Sequence, residues 1–186
     1  MKYLLFAYFI LLSKQTISQQ PIESNIRKLI GFYIGDSIKK VKELVICAEG
    51  SYLDLSYNDN SNCQAYRYIP AQIDSIEITS IKFGDLFFHV TSSKTIKTIG
   101  LHKSYFNTKS FSKIKEANEA FNSVTTFFTN LFQLSEEINT YKNENFRQNR
   151  HEWKKNNLIV VLNQTNFKKN KDGKKLTTLS IDIYIE

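Results

Sequence analysis

The chain has 186 residues, 41% of them hydrophobic and 23% charged, with a formal net charge of +7 at pH 7. Such a composition is ordinary for a globular protein and excludes a largely disordered chain, and the length predicts one domain.

The N-terminus has the three-part pattern of a secretory signal. Lys2 precedes an apolar run from Tyr3 to Leu12, and small residues at Thr16-Ile17-Ser18 come just before a polar segment. The run is too short to span a bilayer as a mature helix. We therefore expect residues 1–18 to be a signal peptide, residues 19–186 to form a single domain, and the mature protein to be secreted or periplasmic. It should have no transmembrane span after cleavage and, lacking a lipobox cysteine, no lipid anchor.

The start of the mature chain predicts a helix. Apolar residues recur there at helical spacing, at Ile22, Ile26, Leu29, Ile30 and Tyr33. Gly35 can end this helix, and Asp36 or Ser37 can cap a second short one that carries Ile38, Val41 and Val45 on one face. The alternative is that residues 31–34 are extended and only the second helix forms.

Two cysteines, Cys47 and Cys63, remain after cleavage. An oxidising compartment permits a disulfide between them, closing a loop of about sixteen residues and adding on the order of 3 kcal/mol to stability. Because Cys47 ends an apolar helical pattern, a buried free thiol is the alternative.

The middle of the chain predicts a β-meander followed by a long helix. Strands are expected at residues 76–83, 86–90 and 96–101, with turns at Gly84-Asp85 and Ser92-Ser93-Lys94. The odd spacing of Ile96 and Ile99 indicates a bulge or a frayed end. From Ser112 to Leu134 a helical stripe carries Ile114, Ala117, Phe121, Val124, Phe128 and Leu131.

The last third predicts a β-hairpin. Leu158–Leu162 is an apolar run typical of a central strand, Asp172-Gly173 is a turn signal, and Leu179 to Ile185 alternates apolar with polar residues. The predicted fold class is α+β, an antiparallel sheet made of the β-meander and the C-terminal hairpin. The long helix and the shorter N-terminal helical region should pack on one face, with the long helix against both C-terminal strands.

Positive charge is concentrated in one segment. Between Tyr141 and Lys175 there are ten Lys and Arg against three acidic residues, a local charge of +7. A basic and aromatic binding patch is therefore one hypothesis for Arg147, Arg150, His151, Trp153, Lys154 and Lys155. The alternatives are a solvated hairpin turn for the charges and core or edge packing for Trp153. Nucleic-acid binding would use similar residues, but the extracytoplasmic address argues against it.

No pattern of catalytic, cofactor-binding or metal-binding residues stands out. The three histidines, His89, His102 and His151, have no partner at metal-ligand spacing, and no nucleotide-binding or nucleophile-elbow motif occurs. We therefore expect no cofactor and no metal. An enzyme is unsupported rather than excluded, because catalytic residues can come from distant strands.

Two segments resemble known families. Ile34-Gly35-Asp36-Ser37 followed by Val41 resembles the opening of the small outer-membrane assembly lipoproteins of the BamE/SmpA kind, although their lipobox cysteine is absent. A helix, then Trp153 before Asn157-Leu158-Ile159-Val160 and an alternating last strand, is similar to many small uncharacterised secreted proteins of Gram-negative bacteria. The first resemblance implies a helix-then-β scaffold without enzymatic activity, and the second implies no activity.

The expected function is that of a secreted or periplasmic, non-catalytic binding or scaffold protein whose partner is an unknown protein or envelope component. An inhibitor or immunity-type protein that blocks a partner enzyme is one alternative, and a hydrolase with an unrecognised site is another. A concave polar pocket would favour an enzyme, and an exposed apolar or basic patch would favour binding.

Overall fold

A computed structural model describes residues 22–39, 45–47, 65–68, 76–106, 111–133, 137–168 and 175–186. The helices are α1 (Ile22–Ile30) and α2 (Phe111–Phe132). The strands are β1 (Val45–Cys47), β2 (Ala65–Tyr68), β3 (Ile76–Ile78), β4 (Ile81–Phe83), β5 (Asp85–Val90), β6 (Ile96–Phe106), β7 (Glu137–Lys142), β8 (Phe146–Lys155), β9 (Leu158–Phe167) and β10 (Leu176–Ile185). Among the described helices, none is both long enough and apolar enough to cross a membrane.

Eight strands form one antiparallel sheet in the order β1-β2-β5-β6-β10-β9-β8-β7, and β3 and β4 form a separate two-stranded sheet. Side chains of a strand point alternately to its two sides. We call the side that packs against α2 the helix face and the other side the second face. The α+β class, with an antiparallel sheet and both helices on one face, is as the sequence predicts.

Helix α2 is the main cover of the sheet. It lies against β6, β8, β9 and β10, and Val124 and Phe128 of its apolar stripe are fully buried. Leu158–Leu162 lies within β9 and Leu179–Ile185 within β10, so the predicted docking of this helix on both C-terminal strands is confirmed. Phe132, outside the predicted stripe, is also fully buried and joins the same core.

Helix α1 ends earlier than the sequence predicts. Gly31, with a φ of 82°, follows its last residue, and the Gly31 amide donates to the Arg27 carbonyl over 2.8 Å. A left-handed residue after the last turn is the usual way for a helix to stop, and glycine adopts it without strain. Gly35, the predicted stop, has a φ of 93° in the following turn. The predicted second helix is wrong at its end, because Val45 lies in strand β1.

The predicted turn at Gly84-Asp85 is wrong. The chain turns at Thr79 and Ser80, whose φ angles are 51° and 67°, and this turn joins β3 to β4 in the small sheet. Asp85 begins β5 in the large sheet. Two positive φ angles fit the twist of a two-residue hairpin. Glycine and asparagine usually supply such angles, so Thr79-Ser80 carried no turn signal in the sequence.

The expected irregularity near Ile96 is present as a register shift between β5 and β6 at His89/Val90.

The C-terminal hairpin is larger than predicted. Two further strands, β7 and β8, extend it into a four-stranded meander that occupies one side of the sheet. Three predictions fall outside the described residues: the signal peptide at residues 1–18, the turn at Asp172-Gly173, and the disulfide, because Cys63 is not described. They stay predictions.

Candidate functional site

The helix face changes character along the strands of the C-terminal meander. At one end, Trp153 pairs with Val160 and both are fully buried beneath α2. Four register pairs further along, Asn149 lies opposite Gln164 on the same face. Apolar contacts at the first end hold the helix on the sheet, and polar groups at the other end provide hydrogen-bonding surface. The polar end of this face is the candidate functional site.

A cleft of about 850 Å³ opens at that end, between the first turns of α2 and strands β7 to β10. We call it the carboxamide cleft. Its lining comprises Ile114, Asn118, Lys142, Asn143, Phe146, Arg147, Asn149, Gln164, Asn166, Phe167, Lys168, Lys175 and Thr177. This volume is within the range of small-molecule sites.

Carboxamides at the base of the cleft form a chain of hydrogen bonds. Asn149 Nδ2 donates to Gln164 Oε1 over 3.2 Å, and Gln164 Nε2 donates to Asn118 Oδ1 over 2.8 Å. Both polar atoms of the buried Gln164 are thus engaged, which fixes the orientation of its side chain. The ends of the chain are an acceptor, Asn149 Oδ1, and a donor, Asn118 Nδ2. A ligand hydroxyl can complement either end.

Four cations surround these amides. Lys142, Arg147, Lys168 and Lys175 line the cleft, and its described lining contains no Asp or Glu. Four positive charges around one concave site create a potential that attracts anions. Arg147 can in addition bind a phosphate or carboxylate through two parallel hydrogen bonds. The cleft therefore combines amide recognition of hydroxyl groups with electrostatic attraction of an anion.

Strand alternation separates the six residues of the predicted basic and aromatic patch. All six lie on β8, with Arg147, His151, Trp153 and Lys155 directed to the helix face and Arg150 and Lys154 to the second face. The patch residue at the cleft is Arg147.

Four of the other five patch residues have structural contacts. Trp153 is fully buried, and its ring lies 5.4 Å from that of Phe128. The His151 ring lies 4.8 Å from that of Phe121, Arg150 is paired with Glu152 over 2.6 Å, and Lys154 is paired with Glu186.

The second face carries a polar cluster of its own around Asp182. Burial raises the pKa of this carboxyl, and the charges of His102, His89 and Arg150 offset only part of that effect. Asn163, also on this face, is 8% exposed, and its Oδ1 has no hydrogen-bond partner in the described part of the chain. Nearby charged side chains form ion pairs within the fold, Arg67 with Asp85 and Arg150 with Glu152.

A Ser-His-Asp row crosses the same face. Ser180 is the register partner of His102, and His102 is the partner of Asp85 on the next strand. Asn163 Nδ2 donates to Ser180 Oγ over 3.4 Å, and Asp85 is held by Arg67. Within the described residues, no hydrogen bond joins Ser180 to His102, or His102 to Asp85. The row therefore lacks the nucleophile–base contact that a hydrolytic triad requires.

The described residues contain no group of three or more His, Cys, Asp or Glu side chains close enough together to hold a metal ion.

Sequence reasoning placed Arg147 in a binding patch but missed Asn118, Asn149, Gln164 and Thr177. Isolated amides carry no motif. The available signal was that the apolar patterns of strands β9 and β10 give way to polar residues, at Gln164 and Thr177.

Comparisons with family models, curated proteins and solved structures find no match. The resemblance to outer-membrane assembly lipoproteins therefore stays a prediction.

Proposed function

We propose that the protein is a non-catalytic binding protein of the cell envelope and that its ligand site is the carboxamide cleft. The observation that carries this proposal is the composition of the cleft. Its described lining holds carboxamides and cations but no His, Cys, Ser, Asp or Glu. The secretory pattern of the N-terminal sequence supports an envelope location.

A concave polar cleft also suits an enzyme. The chemical groups that line it therefore have to decide between binding and catalysis. Hydrolysis and acyl transfer need an activated nucleophile and a positioned base. The hydroxyl in the described lining belongs to Thr177, and its Oγ1 donates to Asn166 Oδ1 over 2.8 Å. That hydroxyl has no basic side chain beside it to take its proton. The lining groups can hold and orient a ligand, which favours binding over catalysis.

The groups in the cleft define a ligand class. Carboxamides donate and accept, as hydroxyl groups do, and the four cations favour a negative charge. Phe146 and Phe167, whose ring centroids are 6.1 Å apart, add an apolar border where the strands end. The ligand that fits is a compact anion bearing hydroxyl groups, such as a phosphorylated polyol.

Nuclear magnetic resonance titration with inositol phosphate tests the proposal directly. The side-chain amide signals of Asn149 and Gln164 should shift in a saturable manner, and inositol without phosphate should bind more weakly. Arg147→Gln should raise the Kd about tenfold, because a charge-assisted hydrogen bond is lost. Asn149→Ala should raise it roughly fivefold through loss of a neutral hydrogen bond.

The matched control is Asn139→Ala on β7. The Asn139 side chain donates to Glu137 Oε1 over 3.0 Å, and neither residue lines the cleft. This variant should leave the Kd unchanged. If millimolar inositol phosphate moves neither cleft amide signal, or if Asn139→Ala weakens binding as much as Asn149→Ala, the cleft is not the ligand site.

The two alternative functions stay predictions. The hydrolase alternative would rely on Ser180, His102 and Asp85, and it predicts covalent labelling of Ser180 by an organophosphate. Labelling that Ser180→Ala abolishes would replace the binding proposal with a catalytic one. The inhibitor or immunity-type alternative would require a protein partner on a surface that the described residues do not specify.

A further inference from the structure

Four apolar side chains form a level row at the cleft end of the second face. Phe106 is the register partner of Leu176, and Phe146 is the partner of Phe167. The adjacent Thr177–Asn166 pair sets Leu176 level with Phe167. We call these four residues the apolar row. It crosses four neighbouring strands, a span of about 14 Å at ordinary interstrand spacing.

The apolar row is accessible to a partner. Phe106 is 71% exposed and Phe167 is 38% exposed, whereas Leu176 and Phe146 are half-buried. Exposed large apolar side chains that stand together mark interaction sites more strongly than scattered ones do. The two phenylalanines at strand ends, Phe146 and Phe167, also line the carboxamide cleft, so the row and the cleft share a border.

Three of the four members of the row are each adjacent in sequence to a cleft cation. Arg147 follows Phe146, Lys168 follows Phe167, and Lys175 precedes Leu176. Neighbouring residues point to opposite sides of a sheet, so these cations lie on the cleft side and the row on the second face, and Phe146 and Phe167, at strand ends, reach the border of the cleft. One end of the sheet therefore presents an apolar strip and a cationic strip side by side.

We propose that this end of the sheet docks on an anionic phospholipid surface, with the apolar row entering the interfacial region and a lipid headgroup phosphate occupying the carboxamide cleft. The inference rests on the proposed function of the cleft and names the source of its anion. Several cations around an apolar strip suit a bilayer, which offers many phosphates above hydrocarbon. In the sequence, residues 169–174 add three further lysines against Asp172.

Vesicle binding of the full chain tests the inference. Partition into vesicles of phosphatidylcholine alone is compared with partition into mixed phosphatidylcholine–phosphatidylglycerol vesicles. Every variant keeps the same apolar N-terminal segment, so differences between variants report on the folded domain. The anionic vesicles should bind more tightly, and Lys168→Gln together with Lys175→Gln should lower the partition coefficient about thirtyfold, roughly fivefold per cation. The charge-matched control is Lys82→Gln together with Lys97→Gln, both exposed and away from the cleft.

Phe106→Ser should reduce partition about tenfold, because it removes apolar area that the membrane would bury. The matched control is Ile138→Ser on β7, where the side chain is 59% exposed but outside the row. A spin-labelled lipid should broaden the ring resonances of Phe106 and Phe167 selectively. Equal losses from both serine variants, or from both pairs of lysine variants, would overturn the docking proposal.

Failure of the membrane inference and failure of the proposed function give different results. Saturable binding of inositol phosphate in the cleft, without preference for anionic vesicles, would overturn the membrane inference and leave the cleft as the site of a soluble ligand. If an acidic peptide binds this end of the sheet and vesicles do not, the partner is a protein. No binding of inositol phosphate and no vesicle preference would overturn both proposals.

Discussion

Gln164 Nε2 donates a hydrogen bond to Asn118 Oδ1 across 2.8 Å and so joins strand β9 to helix α2 at the base of the carboxamide cleft. The two residues are 46 positions apart in the chain. Gln164 Oε1 accepts a second hydrogen bond, from Asn149 on β8. One buried side chain therefore sets the relative positions of three elements that line the cleft.

Gln164→Leu should destabilise the fold by about 1–3 kcal/mol, because Asn149 Nδ2 loses its acceptor in a half-buried position. The Kd for inositol phosphate should rise as well. Gln148→Leu is the matched control, since Gln148 Nε2 donates to Thr165 Oγ1 on the second face. Denaturant unfolding gives the stability, and titration gives the Kd. An equal loss of affinity in both variants would contradict a specific role for the cleft.

Phe128→Ala should cost about 3–5 kcal/mol, because Phe128 is fully buried and truncation of such a ring loses burial and leaves a cavity. That cost approaches the entire stability of a modest domain, so the variant should be largely unfolded. Phe106→Ala provides the control, as the Phe106 side chain is 71% exposed and its loss should change stability little. Thermal melts measure both changes in stability. A Phe128→Ala protein that melts at the same temperature as the parent would show that the apolar stripe of α2 is exposed.

Trp153 Nε1 donates to Thr129 Oγ1 over 3.1 Å, the hydrogen bond that satisfies the buried indole. Thr129→Val should cost about 1–3 kcal/mol, because it leaves that donor without an acceptor in a buried position. Adding Trp153→Phe should cost less in the Thr129→Val background than in the parent, since the unsatisfied donor is then removed. A double-mutant cycle of unfolding free energies measures this coupling. Strict additivity would mean that the hydrogen bond contributes nothing.

Asp182→Asn should stabilise the protein at pH values above the folded pKa of this carboxyl. Gly100 leaves room for the carboxyl, since a Cβ at that position would lie 3.3 Å from Asp182 Oδ1. Burial raises the pKa of Asp182 in the folded state. Between the unfolded and folded pKa values the folded protein therefore binds more protons, and the free energy of unfolding falls as the pH rises. A neutral amide does not undergo this loss.

Below the ordinary carboxyl range, Asp182 is protonated in both states, and the two proteins should have similar stability. Melting temperatures across this pH series should therefore diverge in favour of the variant as the pH increases. The charges of His102, His89 and Arg150 act in the opposite sense and set how far the curves separate. If the parent is the more stable protein at neutral pH, attraction by those side chains outweighs burial.

Local periodicity determined the elements that have one clear apolar side. The stripe through Phe121, Val124 and Phe128 predicts a core-facing helix, because a side chain at every third or fourth position returns to the same side. The apolar run at Leu158–Leu162 and the alternation of the last strand similarly predict β9 and β10. Hairpin order then predicts an antiparallel sheet, and helices that must cover it complete the α+β class.

Strand β8 could not be predicted in this way, because its ten residues alternate between two environments that both accept polar side chains. Arg150 and Lys154 face one side, whereas His151 and Trp153 face α2, so the apolar signal is weak and the charges are typical of a turn. The edge strand β7 is mostly exposed and has no hydrophobic pattern at all. Pairing with β9, rather than local preference, places β8 in the sheet.

Only the tertiary structure determined the site. Asn118, Asn149 and Gln164 are unremarkable as single residues, and strand register brings them together with a helix that lies far away in sequence. The sequence did indicate the cluster of positive charge and included Arg147 in a hypothetical binding patch. Which side of the sheet each cation occupies depends on register, since a shift of one residue moves every side chain to the other face. That physical fact separates Arg147 in the cleft from Arg150, which is paired with Glu152 on the second face.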